Sequence, residues 1–232
     1  MPSFVKALNS QVGRKVMTAI TGLGLFLFLV MHLLGNLTIF GGPESFNFYT
    51  MKLEGMGWLL YVAEAGLAFL FIYHTILGIS IWWRKKQARP QKYDVYETKG
   101  SPSHQSVASK SMIYTGIIIL VFLVIHLWTF KFGATDTVMI EGQEARDLRE
   151  LVIDKFSTPP YTFGYTAVLL LFILHLSHGF WSAFTSLGMK HNTFSLKMQM
   201  TAYALAIILM LGFIFIPLYI YFTGGQGALI SY

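Results

Sequence analysis

His32, His74, His126 and His175 each sit inside a different long apolar segment. An ionisable side chain in a bilayer core is costly and rare, and by default marks a functional site. Four of them, one per segment, can meet in pairs across a helix bundle. The chemistry that uses such pairs most directly is bis-histidine ligation of a b-type haem. An iron held in that way has no open coordination position, which favours electron transfer over oxygen activation. The chain has no cysteine. Thiolate-bound iron–sulfur clusters, a cysteine-ligated haem and a covalently attached haem are therefore excluded within it. The bland use of four such histidines is hydrogen bonding between helices.

The elements that must position these residues are helices in a membrane. Of 232 residues, 54% are hydrophobic and only 12% charged, about half the charged share of a soluble domain. The mean hydropathy is +0.56. A spanning helix needs about 20 mostly apolar residues. Five runs qualify, at about 16–40, 56–83, 112–130, 163–189 and 198–222. The expected fold is an all-α integral membrane bundle of five transmembrane helices, forming a single domain over residues 1–232. The first run is too long for a signal-peptide core and no small-residue cleavage site follows it.

The net charge of +6 follows the membrane and is no signal for nucleic acid. Lys6, Arg14, Lys15, the seven basic residues within 84–110, Lys190 and Lys197 fall on one side. Lys52, Lys131, Arg146, Arg149 and Lys155 fall on the other. The positive-inside rule then puts the N-terminus in the cytoplasm and the C-terminus outside. Residues 1–15 read as an amphipathic lead-in lying on the inner face. The basic loop 84–110 suits contact with anionic lipid or docking of a cytoplasmic partner. The charged stretch 142–156 reads as a short surface helix with i,i+3 and i,i+4 pairs, ended by Pro159-Pro160. No convincing internal repeat is evident.

Position along a helix gives depth, at about 1.5 Å per residue. In this orientation His32 and His126 both fall in the outer half of outward-running spans. His74 and His175 fall at a deeper, cytoplasm-side level in inward-running ones. Two haems at two levels follow, each iron bridging two helices. Glycines near the histidines permit close approach of a flat macrocycle: Gly24 and Gly35 around His32, Gly66 and Gly78 around His74, and Gly179 after His175. His178, one turn beyond His175, is an alternative ligand or a partner for a haem propionate. His104 and His191 read as surface residues.

The stretch from Gly13-Arg14-Lys15 through Thr21-Gly22-Leu23 to His32-Leu-Leu-Gly35-Asn36-Leu37 resembles the dihaem cytochrome b subunit of bacterial succinate dehydrogenases and fumarate reductases. His175-Leu-Ser-His178-Gly179-Phe-Trp181 resembles the fourth-helix motif of that family, whose ligand is the first histidine. The resemblance covers all five spans. It implies a membrane anchor in the bacterial inner membrane, docking a flavoprotein subunit and an iron–sulfur subunit on the cytoplasmic face. Electrons would pass between succinate or fumarate and menaquinone or another quinone through two b haems. By the same resemblance His74 and His175 hold the haem nearer the soluble subunits, and His32 and His126 the distal one.

Two departures stand out. Some dihaem fumarate reductases carry a glutamate two residues before the fourth-helix ligand for transmembrane proton transfer; here that position is Ile173. Quinone-site motifs in related anchors read Ser-x-x-His-Arg; Ser10-Gln-Val-Gly13-Arg14 keeps the serine and arginine without the histidine. Ser10 and Arg14 are quinone candidates, with an N-cap and a positive-inside anchor as their plain structural roles. Glu64, the one acidic residue inside a span, is a candidate for a proton relay or quinone contact, against a rim position reached by water. Two other readings remain open at this point. One is the cytochrome b of another quinone-linked dehydrogenase or hydrogenase. The other is a histidine-lined transporter of metal ions or protons.

Overall fold

The computed structural model describes residues 4–88, 107–189 and 194–224. In order along the chain come α1 (Phe4–Asn9), α2 (Gln11–Leu37), a 3-10 turn (Thr38–Phe40), α3 (Ser45–Glu54) and α4 (Trp58–Gln87). Then follow α5 (Val107–His126), a π turn (Leu127–Lys131), β1 (Thr137–Ile140), β2 (Gln143–Arg146), α6 (Leu148–Phe156), α7 (Pro159–Ser186) and α8 (Phe194–Thr223). Among the described residues, α2, α4, α5, α7 and α8 are long and apolar enough to cross a membrane. The fold is all-α apart from one small hairpin, as the five apolar runs predict.

These helices turn large apolar side chains outward. Leu27, Phe69, Val121 and Ile208 are all more than half exposed, which suits a lipid surround rather than water. The helices outrun the apolar runs because polar residues finish them. Ser10 caps α2, the Gly13 N–H donating to Ser10 Oγ at 3.0 Å, so the helix starts before the apolar run does. Arg84, Lys85 and Lys86 occupy the last turn of α4, where cations complement the helix dipole. Pro159 opens α7, where its missing N–H costs nothing.

Packing divides the chain into two compact units. The first comprises Met1–Phe26, Leu67–Ile117 and Ile173–Ala206, and the second Leu27–Gly66, Ile118–Phe172 and Ile207–Tyr232. The second unit has an apolar core of Ile39, Phe46, Val152, Phe156, Tyr165, Ile216 and Ile220. Beside that core α3 and α6 are tied by Asn47, which is only 4% exposed. Its amide donates to Asp147 Oδ1 and its carbonyl oxygen accepts from the Arg149 N–H, both at 2.8 Å. Asn47→Ala leaves the Arg149 N–H without that acceptor and removes one of the donors to the Asp147 carboxylate. The expected cost is about 2 kcal/mol, read as a lower Tm of the purified protein in detergent.

The stretch 142–156 departs from its expected single helix. Only Leu148–Phe156 is helical, and Gln143–Arg146 pairs antiparallel with Thr137–Ile140. The reason is the turn between them. Glu141 and Gly142 have φ of 49° and 76°, the two positive values of a two-residue hairpin turn. Asp147 then restarts the chain as a helix, its carboxylate accepting from the Glu150 N–H at 3.0 Å.

Candidate functional site

The first unit contains His74 on α4 and His175 on α7. The Nδ1 of His74 lies 3.1 Å from the Thr21 hydroxyl of α2. The Nδ1 of His175 lies 3.1 Å from the Thr115 hydroxyl of α5. The glycine after each threonine faces the same ring. A Cβ at Gly22 would stand 3.1 Å from His74 Cε1, and one at Gly116 3.5 Å from His175 Cε1. Neither Nε2 has a hydrogen-bond partner among the described residues. One turn beyond each histidine, a Cβ on Gly78 or Gly179 would meet nothing within 4 Å. Each ring is thus held at Nδ1, with Nε2 unengaged among the described residues.

The second unit contains His32 on α2 and His126 at the end of α5. Their ring centres are 5.7 Å apart at an interplanar angle of 88°. That is an edge-to-face contact within the usual range of ring pairs, and it brings together two side chains that could hold a metal. Aromatic rings hold them. Phe28 stacks on His32 at 5.2 Å and Phe122 on His126 at 5.8 Å. Polar support is thinner: Tyr165 Oη is 3.5 Å from His126 Nδ1, at the outer limit of a hydrogen bond. The Asn36 amide donates to the His32 carbonyl at 2.8 Å and lies 3.4 Å from His32 Nε2.

The remaining candidates divide. Ser10 acts as the α2 N-cap, and its hydroxyl donates to the Ala7 carbonyl at 2.6 Å. Arg14 Nη1 donates to Ser80 Oγ of α4 at 2.6 Å and lines a small basic pocket with Gln11, Lys15, Ile81 and Arg84. Glu64 forms an ion pair with Lys131 from the end of the π turn, both side chains about four-tenths exposed. Its partner comes from 67 residues along the chain. Gly35 does not serve a flat ligand: a Cβ there would stand 2.7 Å from the Tyr49 ring of α3. Gly24 packs on Leu70. His104, His191 and most of the basic loop 84–110 lie outside the described residues.

The threonine contacts reveal a repeat that the sequence reading misses. Thr21-Gly22 precedes His32, and Thr115-Gly116 precedes His126, by the same number of residues. Phe-Leu-Val-x-His-Leu recurs at 28–33 and 122–127. Leu-Phe-Ile-x-His-x-x-x-Gly recurs at 70–78 and 171–179. The α2–α4 pair and the α5–α7 pair are therefore two copies of one unit. In each copy the first helix contributes a threonine and glycine to hold the histidine of the second. The loops between the paired helices differ in length, so no single offset aligns both halves and the repeat is hidden from a scan at fixed period.

The chain is 26% identical over 161 residues to the succinate dehydrogenase cytochrome b558 subunit of Bacillus subtilis (strain 168), covering 67% of this chain and 69% of that relative. No family model matches the chain, and no solved structure does. The likeness supports the cytochrome b membrane-anchor family that the first-span and fourth-span motifs resemble. With the five spans it supports a multi-pass protein of the bacterial inner membrane.

Proposed function

We propose that this chain is the membrane anchor and electron conduit of a succinate:quinone oxidoreductase, acting as one membrane domain with its N-terminus in the cytoplasm. The observation that carries this reading is the state of His74 and His175. Each has Nδ1 engaged and, among the described residues, Nε2 without a partner. That is the arrangement of a metal-ligating histidine with an outer-shell partner. Among the described residues no three His, Asp or Glu side chains converge on one point. Two histidines suffice only where a macrocycle supplies the other ligands, as haem does.

In this reading His74 and His175 hold one b haem and His32 and His126 the other. Bound there, bis-histidine haem supplies one-electron transfer without an open site for oxygen. The residues of the chain orient and insulate. Phe28 and Phe122 fix the planes of the second-unit rings. His178, one turn beyond His175, is the partner for a propionate in this reading. Ser10 and Arg14 stand where the amphipathic lead-in meets α4 and remain the quinone candidates on that side. Glu64, paired with Lys131, is the candidate for a proton or quinone contact in the second unit. The partners are a flavoprotein and an iron–sulfur subunit at the cytoplasmic face, with menaquinone or another quinone as the membrane substrate.

The test is a reduced-minus-oxidised spectrum of the purified complex, with haem and flavin counted per chain. Two low-spin b haems together with flavin are expected. Two haems without flavin would instead identify the cytochrome b of another quinone-linked dehydrogenase or hydrogenase. Absence of haem would overturn the electron-transfer reading.

A further inference from the structure

The two threonines that touch histidine have little choice of role. Thr21 Oγ1 lies 2.9 Å from the Met17 carbonyl and 3.1 Å from the Thr18 carbonyl of its own helix. Thr115 Oγ1 lies 3.1 Å from both the Ser111 and Met112 carbonyls. A carbonyl can only accept, so the single hydroxyl proton of each threonine is drawn to its own backbone. If the facing Nδ1 were unprotonated, three acceptors would surround that one proton. A protonated Nδ1 satisfies every atom: it donates to the threonine oxygen while the threonine donates to its backbone. In a neutral imidazole the other nitrogen, Nε2, then carries the lone pair.

Both threonines are nearly fully buried, at 2% and 3% exposure, so water does not compete for the bond. The contact occurs twice, from equivalent positions of the two repeated helix pairs, and in both copies a glycine follows the threonine beneath the ring. His32 and His126 have no threonine partner. The device thus belongs to the first unit alone.

We propose that Thr21 and Thr115 are positioning residues for His74 and His175. Each accepts the Nδ1–H of the opposing histidine, fixes the tautomer that presents Nε2, and sets the ring plane against the following glycine. This rests on the reading that His74 and His175 ligate iron. A ligand whose outer N–H is hydrogen-bonded is a stronger donor, so the two threonines hold the potential of that iron below the value it would otherwise have.

The experiment compares Thr115→Val, Thr115→Ser and Thr21→Val in the intact complex, by haem count, by the ferric low-spin resonance signals and by redox titration. Thr115→Val is expected to keep both haems and to shift one low-spin signal, the one that His74→Leu abolishes. The midpoint potential of that haem rises while the other is unmoved. Thr115→Ser, which keeps the hydroxyl, restores both, and Thr21→Val produces the same change. A Thr115→Val complex whose signals and potentials match the parent, or in which the other haem moves, overturns the proposal. Should Thr115→Val lose the haem outright, Thr115→Ser decides: retention upholds the hydroxyl's role and loss overturns it. A parent complex without haem fails at the earlier step, since there the ligation reading itself is wrong.

Discussion

His175→Leu is expected to abolish one of two b haems and to cut succinate-driven quinone reduction by about 100-fold or more. Loss of an outer-shell partner alone typically costs 10–100-fold, and this change removes the ligand itself. Leucine is the informative replacement because it restores apolar volume beside Gly116 and limits the collapse that alanine would invite. Succinate oxidation measured with a soluble artificial acceptor should stay near the parental rate, because in the proposed function the anchor lies downstream of the flavin. His74→Leu should give the same spectrum as His175→Leu, and the double variant should be no worse, since either change alone removes the shared iron. His32→Leu and His126→Leu should remove the other haem instead. If His74→Leu and His175→Leu abolished different signals, the pairing would be wrong even with both haems present.

The proposed pairing follows from depth. Counting residues from the start of each span puts His32 level with His126 and His74 level with His175, and the two compact units separate the histidines in the same way. Helix periodicity carries that information because a membrane fixes where each span begins and ends. What depth does not carry is lateral contact. The ion pair of Glu64 with Lys131 joins residues on different elements, so the glutamate reads as unpartnered in its own helix. Gly35 reads as a haem-facing glycine by its spacing from His32, yet the Tyr49 ring of α3 packs against it. The charge pattern of 142–156 fits a helix as well as a hairpin, and the hairpin wins locally through the Glu141-Gly142 turn. The threonines were hidden for another reason. A threonine in a membrane helix ordinarily bonds the carbonyl a turn before it, and Thr21 and Thr115 do that as well as facing histidine. Their second role appears only when the neighbouring helix is in place.

The second large effect is expected at Gly133, just past the π turn that follows His126. A Cβ there would be driven into the Thr129 carbonyl oxygen of that turn, a backbone atom with no rotamer to escape by. The turn is closed by the Phe132 N–H donating to the Leu127 carbonyl at 3.0 Å, the i to i−5 bond that defines a π turn. Arg146 then clamps its exit, donating to the Lys131 carbonyl at 3.2 Å and the Gly133 carbonyl at 2.7 Å. Gly133→Ala must therefore open the turn, release the Arg146 clamp or displace Lys131 from Glu64. The cost is about 2–4 kcal/mol, in the range of overpacking and broken buried networks. Because the strain enters one turn from His126, the second-unit haem should be lost before the protein unfolds, while the signal assigned to His74 and His175 survives. Thermal unfolding in detergent, followed separately by each haem's absorbance, reads both effects. Gly164→Ala on α7, where a Cβ meets nothing within 4 Å, is the matched control and should leave both melting curves in place. A Gly133→Ala protein with parental Tm and two intact haems would mean that the π turn yields without cost and does not help hold His126.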